Sequence, residues 1–208
     1  MTLASSLVQI DPRGTELAGF KVGGKEHLAV VLANASGHIL DTKDTWWVGS
    51  GSAAFAQNKH FLSGLNASGS GKVVKLRRLV LVNQQLAAVT GVAVAFEIKK
   101  ITAHSGGTAL TPVAADSADA ALPAQVTFRT GATSVTEGAY YYVYCTNNDE
   151  VGAAGGFTLS ALQVVANLAF DDRNMQSLTF REGEGFTMKM VTATTVGSYG
   201  AFAVFTIE

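Results

Sequence analysis

Residues 71–108, GKVVKLRRLVLVNQQLAAVTGVAVAFEIKKITAHSGGT, constrain this chain more than any other stretch. They read as two long β-strands joined at a short turn, the longest unbroken strand signal in the sequence. In residues 72–83, Val74, Leu76, Val80 and Val82 share one face, broken by Arg78, while Val73, Leu79 and Leu81 fill the other. Apolar residues on both faces predict a central strand covered on each side. Residues 84–88 are the expected turn. In residues 89–103, Val92, Val94, Phe96 and Ile98 alternate with Ala93, Ala95, Glu97 and Lys99, and then Ile101 falls on the side of Glu97 and Lys99. A slip of phase inside a strand predicts a β-bulge or a bend between Ile98 and Ile101.

The segments around this pair follow the same logic. Residues 60–67 form a strand closed by Ser68-Gly69-Ser70-Gly71, residues 110–123 a long loop bounded by Pro112 and Pro123, and residues 125–129 a short strand. Residues 130–138 read as a loop and 139–146, AYYYVYCT, as a strand with aromatics on both faces. One set, Tyr140, Tyr142 and Tyr144, or the other, Tyr141, Val143 and Cys145, is expected in the core and its opposite outside it. Residues 147–156 read as a polar loop. Residues 157–170 fit a helix about as well as a strand, and the strand is favoured by their β-branched and aromatic content. Strands follow at 176–180, at 186–192 with Phe186, Met188 and Met190 on one face, and at 199–207 with Ala203, Phe205 and Ile207 alternating against Phe202, Val204 and Thr206. About eight short strands with no convincing helix give an all-β fold, an antiparallel jelly-roll-like β-sandwich over residues 58–208.

Residues 1–57 differ. Turn signals at Asp11-Pro12-Arg13-Gly14, Gly23-Gly24 and Asn34-Ala35-Ser36-Gly37 separate short apolar pieces, and Gly49-Ser50-Gly51-Ser52 reads as a flexible link. The segment is either a set of accessory strands or an extended N-terminal arm, with Trp46 and Trp47 as docking residues.

Composition bounds the function classes. Hydrophobic residues make up 48% of the chain, enough for a core, while charged residues make up only 15% against about 25% in ordinary domains. Much of the surface is therefore neutral or covered by partners. The net charge of −1 gives no footprint for nucleic acid. The cluster Lys72, Lys75, Arg77, Arg78, Lys99 and Lys100 reads as a solvated strand face. A lone Cys145 forms no disulfide within the chain and reads as a small buried hydrophobe. There is no secretory leader pattern and no apolar run of spanning length, so neither export nor a membrane partner is expected.

The residues offer little chemistry. His27, His38, His60 and His104 stand singly, without the paired spacing of a jelly-roll metal site, and are expected as isolated surface or loop histidines. No nucleophile elbow is present. Neither Asn147-Asn148-Asp149-Glu150 nor Asp171-Asp172-Arg173-Asn174 has calcium-loop spacing. Glu137 and the other carboxylates show no pairing by sequence. No enzyme activity, cofactor or metal is expected. Trp46, Trp47, Tyr140, Tyr142 and Tyr144 are the candidate contact residues, for a subunit interface or for a sugar.

Residues 58–112, NKHFLSGLNASGSGKVVKLRRLVLVNQQLAAVTGVAVAFEIKKITAHSGGTALTP, resemble a set of tailed-bacteriophage virion proteins. The likeness continues through residues 121–138, ALPAQVTFRTGATSVTEG, and 178–190, LTFREGEGFTMKM, a strand–turn–strand form recurrent in jelly-roll phage proteins. Arg181-Glu182 stands where a proline often precedes the glycine. The front end, DPRGTELAGFKVGGKEHLAVVLANASGHIL, is similar to the N-terminal segment of such proteins. The resemblance implies a capsid cement or decoration protein: a homotrimer on the capsid surface of the virion, made in the host cytoplasm, partnered by the major capsid protein and by itself. A receptor- or carbohydrate-binding jelly roll of a head fibre or tail is the alternative. The motifs are structural, and no active site is carried over.

Overall fold

The computed structural model describes residues 8–9, 16–22, 25–29, 44–84, 89–151, 164–170, 177–192 and 198–208. The chain divides into two compact units, Met1–Lys43 and Asp44–Glu208. In the first, β1 (Val8–Gln9), β2 (Glu16–Val22) and β3 (Lys25–Ala29) form an antiparallel sheet with β2 in the middle. Val22 pairs with Lys25, so the turn expected at Gly23-Gly24 falls between β2 and β3, outside the described residues. The turns expected at residues 11–14 and 34–37 also lie outside them.

The second unit is a sandwich of two antiparallel sheets. Sheet one contains β5 (His60–Asn66), β7 (Val89–Ser105), β8 (Thr108–Leu110), β10 (Val126–Thr130), β11 (Ser134–Val151) and β14 (Glu184–Met190), in the order β11-β7-β14-β5-β10-β8. Sheet two contains β4 (Thr45–Ala54), β6 (Val74–Asn83), β9 (Val113–Ala114), β12 (Val164–Ala169) and β15 (Ser198–Ile207), in the order β12-β6-β15-β4-β9, with β13 (Leu178–Phe180) also paired to β6. Successive strands β5, β6 and β7 cross from one sheet to the other and back, as do β14 and β15, the alternation of a jelly-roll-like sandwich. The described residues contain no helix.

Facing side chains hold the sheets together. Phe128 of β10 stacks on Phe205 of β15 with ring centroids 4.6 Å apart. Phe180 of β13 stacks on Phe186 of β14 at 5.6 Å, and Phe96 of β7 meets Tyr199 of β15 edge to face at 6.3 Å. Phe186, Met188 and Met190 all point into this core, as do Ala203, Phe205 and Ile207, in line with their period-2 patterns. Gly64 of β5 stands opposite both Phe128 and Phe186, and its missing side chain leaves the space those two rings occupy.

The organising pair behaves as read in one respect and differently in another. Along β14 the register of β7 is regular from Phe96 to Ile101, so Ile98 joins the core and Ile101 is buried on the opposite face. Along β11 the register shifts three times, opposite residues 98–103, which is the irregularity expected there. β6 is central by pairing, but its apolar residues on both faces have another origin. Opposite β15, Val204 pairs with Arg78 and Phe205 with Leu76, leaving Arg77 as an extra residue. This bulge turns Val74 and Leu76, then Leu79 and Leu81, toward one core.

Four segments depart from the sequence reading. Gly49-Ser50-Gly51-Ser52 is part of β4 rather than a link, and the sandwich unit starts at Asp44 rather than at residue 58. Ser50 and Gly51 stand opposite the single residue Ala201, a bulge that Gly51 accommodates with φ 68°. The Ser50 hydroxyl accepts the Ala201 N–H at 3.0 Å and donates to the Gly51 carbonyl. β11 begins at Ser134 and runs to Val151, so residues 134–138 and 147–151 are strand, not loop, because both ends pair with β7. The long loop at 110–123 holds the short strand β9, paired with β4. The expected turn at 84–88 lies outside the described residues beyond Gln84, and so do residues 152–163 and 171–176; of the strand read over 157–170, the described part is β12, Val164–Ala169.

Candidate functional site

The outer strand of sheet one carries the most conspicuous surface of the described residues. Around the bulges of β11, Tyr140 is 59% exposed, Tyr141 37%, Tyr142 42% and Val143 60%. The expectation that one alternating set enters the core is corrected here. Among the described residues β11 has only β7 beside it, and its pairing is interrupted at Tyr140/Tyr142, so none of them sandwiches it at this point. Only Tyr141 reaches back, meeting Phe180 edge to face at 6.2 Å. The side chains of Tyr144 and Cys145 lie outside the described residues. Four consecutive large side chains exposed together form a patch of the kind that marks a contact site.

The two tryptophans separate. Trp46 is 8% exposed and belongs to the core, because β4 is a strand of sheet two and alternate residues face inward. Burial removes it from the candidate contact residues. Trp47 is 45% exposed on the other face and stacks on Phe202 at 5.9 Å. It pairs across the strands with Val113, which is 66% exposed. Trp47, Phe202 and Val113 thus make a second apolar patch, on sheet two.

Beneath the tyrosines lies a cluster of charges. Glu137 sits at a β11 register shift and accepts hydrogen bonds from Lys99 of β7 at 2.6 Å and Lys189 of β14 at 2.7 Å. His60 Nε2 of β5 is 3.5 Å from the same carboxylate. One side chain therefore links four neighbouring strands. Lys99 also pairs with Glu97 at 3.3 Å and lies 4.4 Å from the centre of the Tyr140 ring. Burial pushes the Glu137 carboxyl up, but the hydrogen bonds from Lys189 and Lys99 outweigh it and hold the group below its ordinary range. Lys99 is raised above the usual lysine range, first by the Glu137 hydrogen bond. Lys100 pairs with Glu184, and Lys75 with Glu208. The basic cluster is therefore divided between the sheets, with Lys75, Lys99 and Lys100 paired to carboxylates and Arg77 bonded to the Thr206 and Ser177 hydroxyls.

His60 and His104 are on strands, not isolated in loops. His60 Nδ1 is 3.0 Å from the Thr187 hydroxyl. The His104 ring bridges Ser63, 2.8 Å from Nδ1, and Thr127, 2.8 Å from Nε2. Burial, and then the charge of Arg129, lower its pKa to about 4. Ser63 is 0% exposed and both ring nitrogens are occupied, so in this conformation no substrate reaches the hydroxyl. The pair fills a buried polar space. His27 and His38 lie outside the residues whose side chains are described. Among the described residues, no three His, Cys, Asp or Glu side chains converge as metal ligands.

Sequence reasoning named Trp47, Tyr140 and Tyr142, which are exposed. It left Tyr141 and Val143 as one of two alternative outward sets without making them contact residues, and passed over Phe202 as a contact. One signal for the first two was available: residues 138–148, GAYYYVYCTNN, hold no charged residue. No known protein family, no curated protein and no solved structure matches the chain.

Proposed function

We propose that this protein is a non-enzymatic virion structural protein that binds the outer surface of a phage capsid and stabilises it. The observation that carries the reading is a pair of apolar surface patches, one at Tyr140, Tyr141, Tyr142 and Val143, where the neighbouring Lys99, Lys100 and Lys189 are paired internally, and one at Trp47, Phe202 and Val113. A clamp on a shell needs broad, neutral, shape-matched contact, and durable interfaces are depleted in charge at their centres. The resemblance of residues 58–112, 121–138 and 178–190 to phage virion proteins supports the same reading, with the major capsid protein and other copies of the chain as partners. An arm reaching further subunits would add binding through effective concentration.

The exposed rings of Tyr140 and Tyr142 favour one alternative, a carbohydrate- or receptor-binding jelly roll, since an open aromatic face stacks on sugars. Co-sedimentation of the full-length protein with empty capsids of the phage that encodes it separates the two. Cement is expected to pellet at a fixed high copy number and to raise the temperature at which the shells open. Protein that stays in the supernatant, and binds a glycan array in a manner lost in Tyr142→Ala, would overturn the cement reading. An arm deletion should remove residues 1–43 only, because β4 belongs to sheet two. Such a variant is expected to bind capsids more weakly than the full chain.

A further inference from the structure

β11 is the outermost strand of sheet one, hydrogen-bonded to β7 alone among the described residues. Natural proteins guard long edge strands with lysine, proline, inward-facing charge or bulges, because an open edge is a template for another strand. Here the bulges end at Tyr142. From Val143 to Asn148 the register with β7 is regular, pairing Val143 with Glu97 through to Asn148 with Val92. Residues 138–148 contain neither proline nor charge, and Tyr140, Tyr141, Tyr142 and Val143 are all exposed.

The charges nearby bear on which partner fits. Lys99 is held by Glu137 and Glu97, Lys189 by Glu137, and Lys100 by Glu184. The edge therefore offers no unpaired lysine from this group to a nucleic acid, an anionic surface or an acidic peptide. Electrostatic complementarity leaves a neutral partner. An unguarded neutral strand meets copies of itself at their own concentration, and an antiparallel strand is its own complement about a two-fold axis. Tyrosine adds large contact area for little lost side-chain freedom.

We propose that the edge of β11, from the exposed Tyr140, Tyr141, Tyr142 and Val143 along to Asn148, is a contact between copies of this chain. The inference holds or fails independently of capsid binding. Glu137 acts as a positioning residue for it: by holding Lys99 under the Tyr140 ring it fixes where the first tyrosine of the edge stands.

Sedimentation of the full-length protein, without capsids, tests this. The wild-type chain is expected to run as a dimer at micromolar concentration. Val143→Lys places a guard charge at a 60% exposed position and is expected to weaken that assembly at least about tenfold while far-UV circular dichroism stays unchanged. Val113→Lys, at a 66% exposed position on sheet two, is expected to leave it intact. A wild-type chain that is monomeric up to about 100 µM would overturn the proposal, as would a Val143→Lys chain that assembles normally but loses capsid binding. Amide hydrogen exchange of residues 143–148 gives a readout without mutation. Protection that falls on dilution of the wild-type protein supports the contact, and protection independent of concentration refutes it.

Discussion

Gly64→Ala gives the sharpest test of how the core is assembled. A β-carbon on Gly64 would stand 2.5 Å from Phe128 Cε1, 2.9 Å from Phe128 Cδ1 and 2.8 Å from Phe186 Cε1. Carbon atoms in contact prefer about 3.5–4.0 Å, so both rings must retreat by roughly 1 Å. Neither ring is free to do so. Phe128 is stacked on Phe205 at 4.6 Å and Phe186 on Phe180 at 5.6 Å, and each stack spans the two sheets. Overpacking of one site costs about 1–3 kcal/mol, and displacement of two clamped rings belongs at the upper end. Replacing glycine returns about 0.5–1 kcal/mol of backbone entropy. The net expectation is a loss of about 2 kcal/mol, or roughly 4–8 °C in Tm for a chain of this size. Thermal and urea unfolding followed by circular dichroism measure it. Adding Phe128→Leu should cost less in the Gly64→Ala background than in the wild type, because it removes one of the clashing rings. A Gly64→Ala protein within about 0.5 kcal/mol of wild type would refute the close-packed account of this strand.

Three further outcomes follow from the polar groups. Glu137→Gln leaves Lys189 without its carboxylate and Lys99 with Glu97 only; at 23% side-chain exposure the expected loss is about 1–3 kcal/mol by denaturant titration, between the values for exposed and buried pairs. Because the folded Glu137 carboxyl lies below its ordinary value of 4.5, its contribution is complete above that value and is lost as pH falls below it, and a flatter acid limb in Glu137→Gln would show this. His104 is neutral in the fold down to about pH 4 but titrates near 6.5 when unfolded, so the unfolded chain binds more protons between these values. Stability is therefore expected to decline from about pH 6.5 to about pH 4, and His104→Gln should flatten that slope. Glu182 accepts the Gly69 and Gly71 amides at 3.1 and 2.7 Å, so Glu182→Ala should speed hydrogen exchange at those two amides while leaving that of Leu62 unchanged.

The legible part of this fold was written in large side chains at period two. Phe186, Met188 and Met190 state their common face directly, and the displaced Ile101 locates the irregularity opposite β11. β4 was less readable because Gly49, Ser50, Gly51 and Ser52 have almost no side-chain signal, and their extended state comes from pairing with β15. The two faces of β6 misled for a different reason. An extra residue at Arg77 reverses the alternation, and only the register with β15 reveals it. Strict alternation left open whether Tyr140 and Tyr142 or Tyr141 and Val143 face outward, and it says nothing of a bulged edge that exposes all four. Glu137 collects partners from residues 60, 99 and 189, a convergence that no local window contains.

The position of β15 bears on how the protein reaches this state. β15 lies in the interior of sheet two, between β6 and β4, and Ser50 meets Ala201 across 151 positions of chain. Sheet two therefore cannot close until β15 has been made and docked. Until then β4 and β6 wait with the gap between them open. Pairings this distant in sequence make for slow folding, and the waiting strands are exposed to misassembly for that interval. Truncation within β15 should therefore act on the yield of folded protein far more than on any surface.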